Sequence, residues 1–120
     1  MKKLIRFLPS LIWMAIIFFF SSQQTTGVPG DYTERFIILK SFHLIEYATL
    51  GILLFIAFTK HKSAIITAYL YACTDEIHQY FIPGRTGKFT DTLIDLLGIF
   101  LGFIIFKFVL TPLIRKYKKL

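Results

Sequence analysis

The chain has one cysteine, and its 7 acidic residues are set against 14 lysines and arginines in 120 residues. The lone Cys73, in an apolar run, excludes an intrachain disulfide framework and reads as a small buried thiol. Polar sequence is scarce too: charged residues make up 18% of the chain and hydrophobic ones 55%. A water-soluble domain of this size needs polar side chains over much of its surface, and the long apolar runs leave too few. No A-x-A-like cleavage pattern follows the first apolar run, which is therefore read as a retained helix rather than a signal peptide. No inverted repeat is evident, so a transporter or channel is the weakest class. What is present is 14 phenylalanines, a mean hydropathy of +0.63 and a net charge of +7. These features predict an integral membrane protein of one small domain, residues 1–120, in the cell membrane.

Four apolar segments are expected to be helices: residues 4–20, 36–58, 63–82 and 90–110. Lys2 and Lys3 precede the first, and Pro9 falls in its opening turns, where a missing amide donor matters least. Residues 21–31 form a polar run with Gly and Pro punctuation, hence a loop. A short basic link, Lys60-His61-Lys62, joins the second and third segments, with His61 read as an ordinary loop residue. Pro83-Gly84 ends the third, and Arg85 to Lys88 makes the next loop. The fourth carries Gly98-x-x-x-Gly102, a packing face for a neighbouring helix.

Ionisable groups interrupt this apolar frame. Asp75, Glu76, His78 and Gln79 close the third segment, and Asp91 and Asp95 open the fourth. Lys40, His43, Glu46 and Tyr47 lie within an arc of about 120° on the second helix, and Asp91, Asp95, Gly98 and Gly102 within about 60° on the fourth. Carboxylates in membrane-length segments usually face a bundle interior or a water-filled cavity. These faces are expected to converge at one depth, together with Ser21, Ser22 and Gln23. The cluster has three readings: an interhelical salt-bridge and hydrogen-bond network, a cation site, or a centre that exchanges protons. The spacing matches no specific metal motif, and metal and cofactor stay unassigned. His78 lies about 160° around the helix from Glu76, which points it away from a compact site and toward lipid headgroups. Arg85 follows the helix break, at the mouth of a largely acidic cavity. Its planar fork suits a carboxylate partner or an anionic ligand.

Positive residues set the orientation. Lys2, Lys3, Arg6, Lys60, Lys62, Lys107, Arg115, Lys116, Lys118 and Lys119 fall on one face, against Arg35, Lys40, Arg85 and Lys88 on the other. That bias puts both termini in the cytoplasm and the polar cluster near the outer surface. The basic tail after the last helix is expected to anchor to anionic inner-leaflet lipid, which sets nucleic acid aside. The fold class is all-α, a four-helix transmembrane bundle.

At these residues the chain resembles the VanZ-like family of small membrane proteins, named for teicoplanin resistance. The resemblance is carried by Phe18 to Gln23, by Lys40-x-x-His43-x-x-x-Tyr47-x-x-Leu50, by Asp75-Glu76-x-x-Gln79 with Pro83-Gly84-Arg85, and by Asp91-x-x-x-Asp95-x-x-Gly98-x-x-x-Gly102. It runs from the first helix to about Phe103. Asp95 stands where some members carry Asn. The resemblance implies lowered susceptibility to glycopeptide antibiotics, lipoglycopeptides in particular, and specifies no reaction. Two functions are then open. In one, an enzyme or binding protein takes an anionic envelope lipid or a lipoglycopeptide from the bilayer. Asp75, Glu76 and His43 are its candidate acid, base or metal ligand, and Lys40, Tyr47, Gln79, Arg85, Asp91 and Asp95 its binding residues. In the other, a non-catalytic membrane protein uses the same cluster only to hold its helices together or to bind a partner.

Overall fold

The computed structural model describes residues 2–23, 30–82 and 91–119, nearly all of them helix and no strand among them. A short helix α1 (Lys2–Ile5) is followed by α2 (Leu8–Ser21), α3 (Tyr32–Ala57), α4 (His61–Tyr80) and α5 (Asp91–Ile105). A π-helical turn, Phe106–Leu110, then leads without a break into α6 (Thr111–Lys118). The result is an elongated body of 51 × 29 × 22 Å.

Local chemistry accounts for each boundary that departs from the apolar runs. The first helix breaks at Arg6–Phe7 and resumes with Pro9 in the opening turn of α2, which needs no amide donor there. Arg6 donates to the Ile56 carbonyl, 3.3 Å away, among the last carbonyls of α3, where a cation is favoured. α3 begins four residues before its apolar run because Asp31 caps it: the Asp31 carboxylate accepts from the Glu34 amide at 2.8 Å. α4 begins at His61, within the link expected to be loop, and ends before Pro83, whose predecessor is disfavoured in a helix. At its other end the fourth rod outruns residue 110. Pro112 supplies no amide to the helical ladder, and the local register widens so that the Thr111 amide reaches the Phe106 carbonyl. The Thr111 hydroxyl donates to that same carbonyl at 2.8 Å.

Packing is closest between α3 and α5. A Cβ built on Gly98 would lie 2.7 Å from the Leu44 carbonyl oxygen and 3.3 Å from Tyr47 Cβ. One on Gly102 would collide with the Ala48 carbonyl. Both glycines therefore let two backbones meet, as the Gly-x-x-x-Gly spacing predicts. On α4, Ala64, Ala68 and Ala72 form a buried ridge of small residues against the same core. Ile17, Leu50, Leu54, Phe55 and Ile99 fill the space between.

The distribution of side chains is the reverse of a water-soluble fold. Leu11, Phe19, Phe42, Leu70, Ile77 and Leu93 are among many large apolar groups left exposed. Ser21, His43, Asp75, Glu76, Gln79, Asp91, Thr92 and Asp95 are buried. Such a surface suits lipid, and two helices, Thr33–Ala57 and Asp91–Lys118, are long and apolar enough to cross a membrane.

Gly98→Ala and Gly102→Ala are each expected to lower stability by about 1–3 kcal/mol, since a new methyl must push one backbone off another. Unfolding in mixed detergent micelles measures this, with Leu97→Ala, at an exposed position of the same helix, as the control. Equal midpoints for all three would mean that the α3–α5 approach is not what holds the bundle.

Candidate functional site

The polar groups gather where the C-terminal end of α4 and the N-terminal end of α5 meet the middle of α3. Asp75 lies five residues before the end of α4, and Asp95 four residues after the start of α5. At 1.5 Å per residue each is about 6–8 Å inside its helix. His43 lies near the midpoint of α3, because α3 starts earlier and overshoots its neighbours. His43 thus lies further from the start of its helix than its position in the second apolar run suggested.

Three pairs tie α3 to the other helices. Lys40 Nζ stands 2.8 Å from Asp91 Oδ2, with only 15% and 6% of the two side chains exposed. It is close as an ion pair but not aligned as a hydrogen bond. His43 Nδ1 lies 3.0 Å from Asp95 Oδ1. The Tyr47 hydroxyl donates to Asp75 Oδ2 at 2.8 Å, and both residues are buried. The first two pairs follow from the glycine contact: with Gly98 against Leu44 and Tyr47, the preceding turns of α5 bring Asp95 and Asp91 to His43 and Lys40.

Gln79 joins α4 to this network. Its Nε2 donates to Ser21 Oγ at 3.2 Å and lies 3.0 Å from His43 Nε2. In this orientation His43 Nε2 accepts, and its Nδ1–H donates to Asp95; with the amide reversed, Nε2–H donates to the Gln79 oxygen. Both ring nitrogens are therefore oriented, which fixes the imidazole. Tyr47 and His43 also stack, with centroids 6.2 Å apart.

Several acceptors in this buried space have nothing to accept from among the described residues. Both oxygens of Glu76, Asp75 Oδ1 and Asp95 Oδ2 have no hydrogen-bond partner there. Glu76 is only 4% exposed. Ligand atoms of His43, Glu76 and Asp95 all lie within 4.8 Å of one another. Among the described residues, the buried carboxyl groups of Asp75, Glu76, Asp91 and Asp95 thus share the region with Lys40 and the His43 imidazole.

The structure brings Lys40, His43, Tyr47, Asp75, Glu76, Gln79, Asp91 and Asp95 into one region. Arg85, with the loop it belongs to, lies outside the described residues. His78 meets the end of α2: its Nε2 lies 2.8 Å from Ser22 Oγ, and its ring stacks on Phe18 at 4.3 Å. Rather than lying in a loop, His61 opens α4 and meets the edges or faces of Phe55, Phe103 and Phe106. Cys73 is half-buried. Residues that sequence reasoning passed over include Thr92, fully buried and 3.3 Å from the Tyr69 hydroxyl. Trp13 donates its indole N–H to the Glu46 carbonyl at 2.9 Å, and Tyr71 its hydroxyl to the Met14 carbonyl at 2.5 Å. A side chain bonded to a backbone carbonyl on another helix leaves no spacing signal in sequence.

A family model described as VanZ/LLP1 matches residues 7–111, a span that includes every residue of the cluster. No curated protein and no solved structure matches the chain.

Lys40→Met removes the ion-pair partner of a buried carboxylate and is expected to cost about 3–5 kcal/mol. Lys40→Met combined with Asp91→Asn should recover most of that loss, because no charge is then left alone. A double-mutant cycle on unfolding midpoints reads the coupling, and strictly additive losses would show that the pair does not interact.

Proposed function

This chain belongs to the VanZ/LLP1 family, and from that membership and the buried centre we propose a multi-pass protein of the cell membrane that takes up the headgroup of an anionic envelope lipid or lipoglycopeptide. Binding or chemistry at that centre would lower susceptibility to glycopeptides such as teicoplanin. In this reading α2, α3, α4 and the α5–α6 rod all cross the bilayer. The positive residues at the α3–α4 link and at both termini support cytoplasmic ends.

One observation carries the proposal: Asp75, Glu76 and Asp95 present buried carboxyl oxygens with no partner among the described residues. A network serving only to hold helices together would be more stable with those acceptors satisfied or replaced by apolar groups. Unsatisfied acceptors facing one another in a fixed frame suit a site whose partner arrives from outside. Lys40 is already engaged with Asp91, so anion recognition falls mainly to Arg85 and to whatever cation the carboxylates hold. A second reading has its own support. Lys40–Asp91, His43–Asp95 and Tyr47–Asp75 each link α3 to another helix, as a purely structural network would.

Asp75→Asn and Arg85→Gln separate the two readings when teicoplanin susceptibility is measured beside membrane protein level. A functional centre predicts loss of the phenotype while the protein still accumulates; a parallel fall in both would favour the structural reading. Topology has its own test in a Cys73→Ala background. A cysteine at Thr86 should react with an impermeant reagent from outside the cell and one at Ser63 should not, and the opposite pattern would overturn the orientation.

A further inference from the structure

Among the described residues, Glu76 is the buried acid with no hydrogen-bond partner at either oxygen. Lys40 meets Asp91, the Tyr47 hydroxyl meets Asp75, and His43 meets Asp95, but neither Glu76 oxygen meets a donor among the described residues. It is not turned away from the cluster, since its carboxylate lies within 4.8 Å of ligand atoms on both His43 and Asp95. An isolated carboxylate in such surroundings carries a large penalty unless a proton or a cation accompanies it.

We propose that His43, Glu76 and Asp95 bind one divalent first-row transition-metal ion. The donor set is one imidazole and two carboxylates, which suits Mn2+, Fe2+ or Zn2+ and disfavours thiolate-seeking ions. Ligands about 2.1 Å from a tetrahedral ion lie about 3.4 Å apart, so three donors already within 4.8 Å need only small side-chain adjustments. His43 Nδ1 faces Asp95 Oδ1 at 3.0 Å, and the ion takes the place of the proton those two atoms share. His43 Nε2 then donates to the amide oxygen of Gln79, which is the outer-shell bond that orients a metal-bound imidazole. Ser21 in turn holds the Gln79 amide. Three protein ligands leave at least one coordination position open, and through it a carboxylate or phosphate group is drawn to a centre that would otherwise repel it. The inference rests on the centre being a functional site, and it supplies the positive charge that an anionic substrate requires there.

The test uses the full chain purified in detergent, stripped with chelator, then equilibrated with Mn2+ or Zn2+ and desalted. Expected results are one ion per chain by elemental mass spectrometry, a metal-dependent rise in unfolding temperature, and at least tenfold weaker binding for Glu76→Gln and Asp95→Asn. Glu76→Gln should unfold no lower than the parent when both are metal-free, because it loses no bond. Absence of bound ion in the parent, or equal binding by Glu76→Gln, overturns the proposal. So does a metal-free Glu76→Gln that is destabilised to the same degree as Arg85→Gln, since Glu76 would then have arginine as its partner. Loss of the susceptibility phenotype in Asp75→Asn without any bound metal would remove this inference and leave the functional reading standing. Metal binding beside an intact Asp75→Asn phenotype would do the reverse.

Discussion

The backbone contact between α3 and α5 is the constraint on which the rest of the bundle depends. Gly98 lies against the Leu44 carbonyl and Gly102 against the Ala48 carbonyl, with no room for a Cβ at either place. Helices in lipid gain little by hiding apolar surface from other apolar surface, so packing at close range has to supply the association. Two helices locked in this register also fix which side chains face each other one and two turns away. In the register that the glycine contacts set, His43 meets Asp95 and Lys40 meets Asp91.

Much of this arrangement was legible in the sequence, for a physical reason. A helix repeats every 3.6 residues, so polar groups that share a face show it in their spacing, and an apolar frame makes each departure conspicuous. Lys40, His43 and Tyr47, then Asp91 and Asp95 beside the two glycines, could be assigned to common faces without coordinates. The all-helical class followed from the same pattern. Periodicity does not say how one helix is rotated against another, however, and the identity of each pair depends on that rotation. Hence Lys40 was open to pairing with any of several acids, and Glu76, with neither oxygen bonded among the described residues, could not be distinguished from Asp75, which the Tyr47 hydroxyl meets at one oxygen.

The misread boundaries have a common cause: apolar runs were used to locate helices, whereas caps and backbone chemistry end them. Asp31 with Glu34 three residues on is a cap signature that was visible in sequence but lay outside the hydrophobic run. The π turn before Pro112 extended the last rod where a proline is ordinarily read as a stop. His78 and His61 illustrate a further limit. Angular position on an isolated helix does not name the neighbouring helix, and it is Phe18 and Ser22 of α2 that meet the His78 ring.

Stability and chemistry are separated along the bundle axis. One half is filled by Ile17, Leu50, Leu54, Phe55, Ile99 and the alanine ridge of α4, with the His61 ring against Phe55 and with Tyr47 joining this core to Asp75. The other half holds the buried acids, not all of which are compensated. An arrangement of that kind is sustainable only if the apolar half and the glycine contact supply enough packing to offset the unmet electrostatics. Among the described residues, satisfying Glu76 would need another donor from α2, α3 or α5. At that level, among the described residues, Ser21 meets Gln79 and His43 meets both Gln79 and Asp95. Among the described residues, then, the packing of α4 and not a hydrogen bond of its own holds the Glu76 carboxylate inside the bundle.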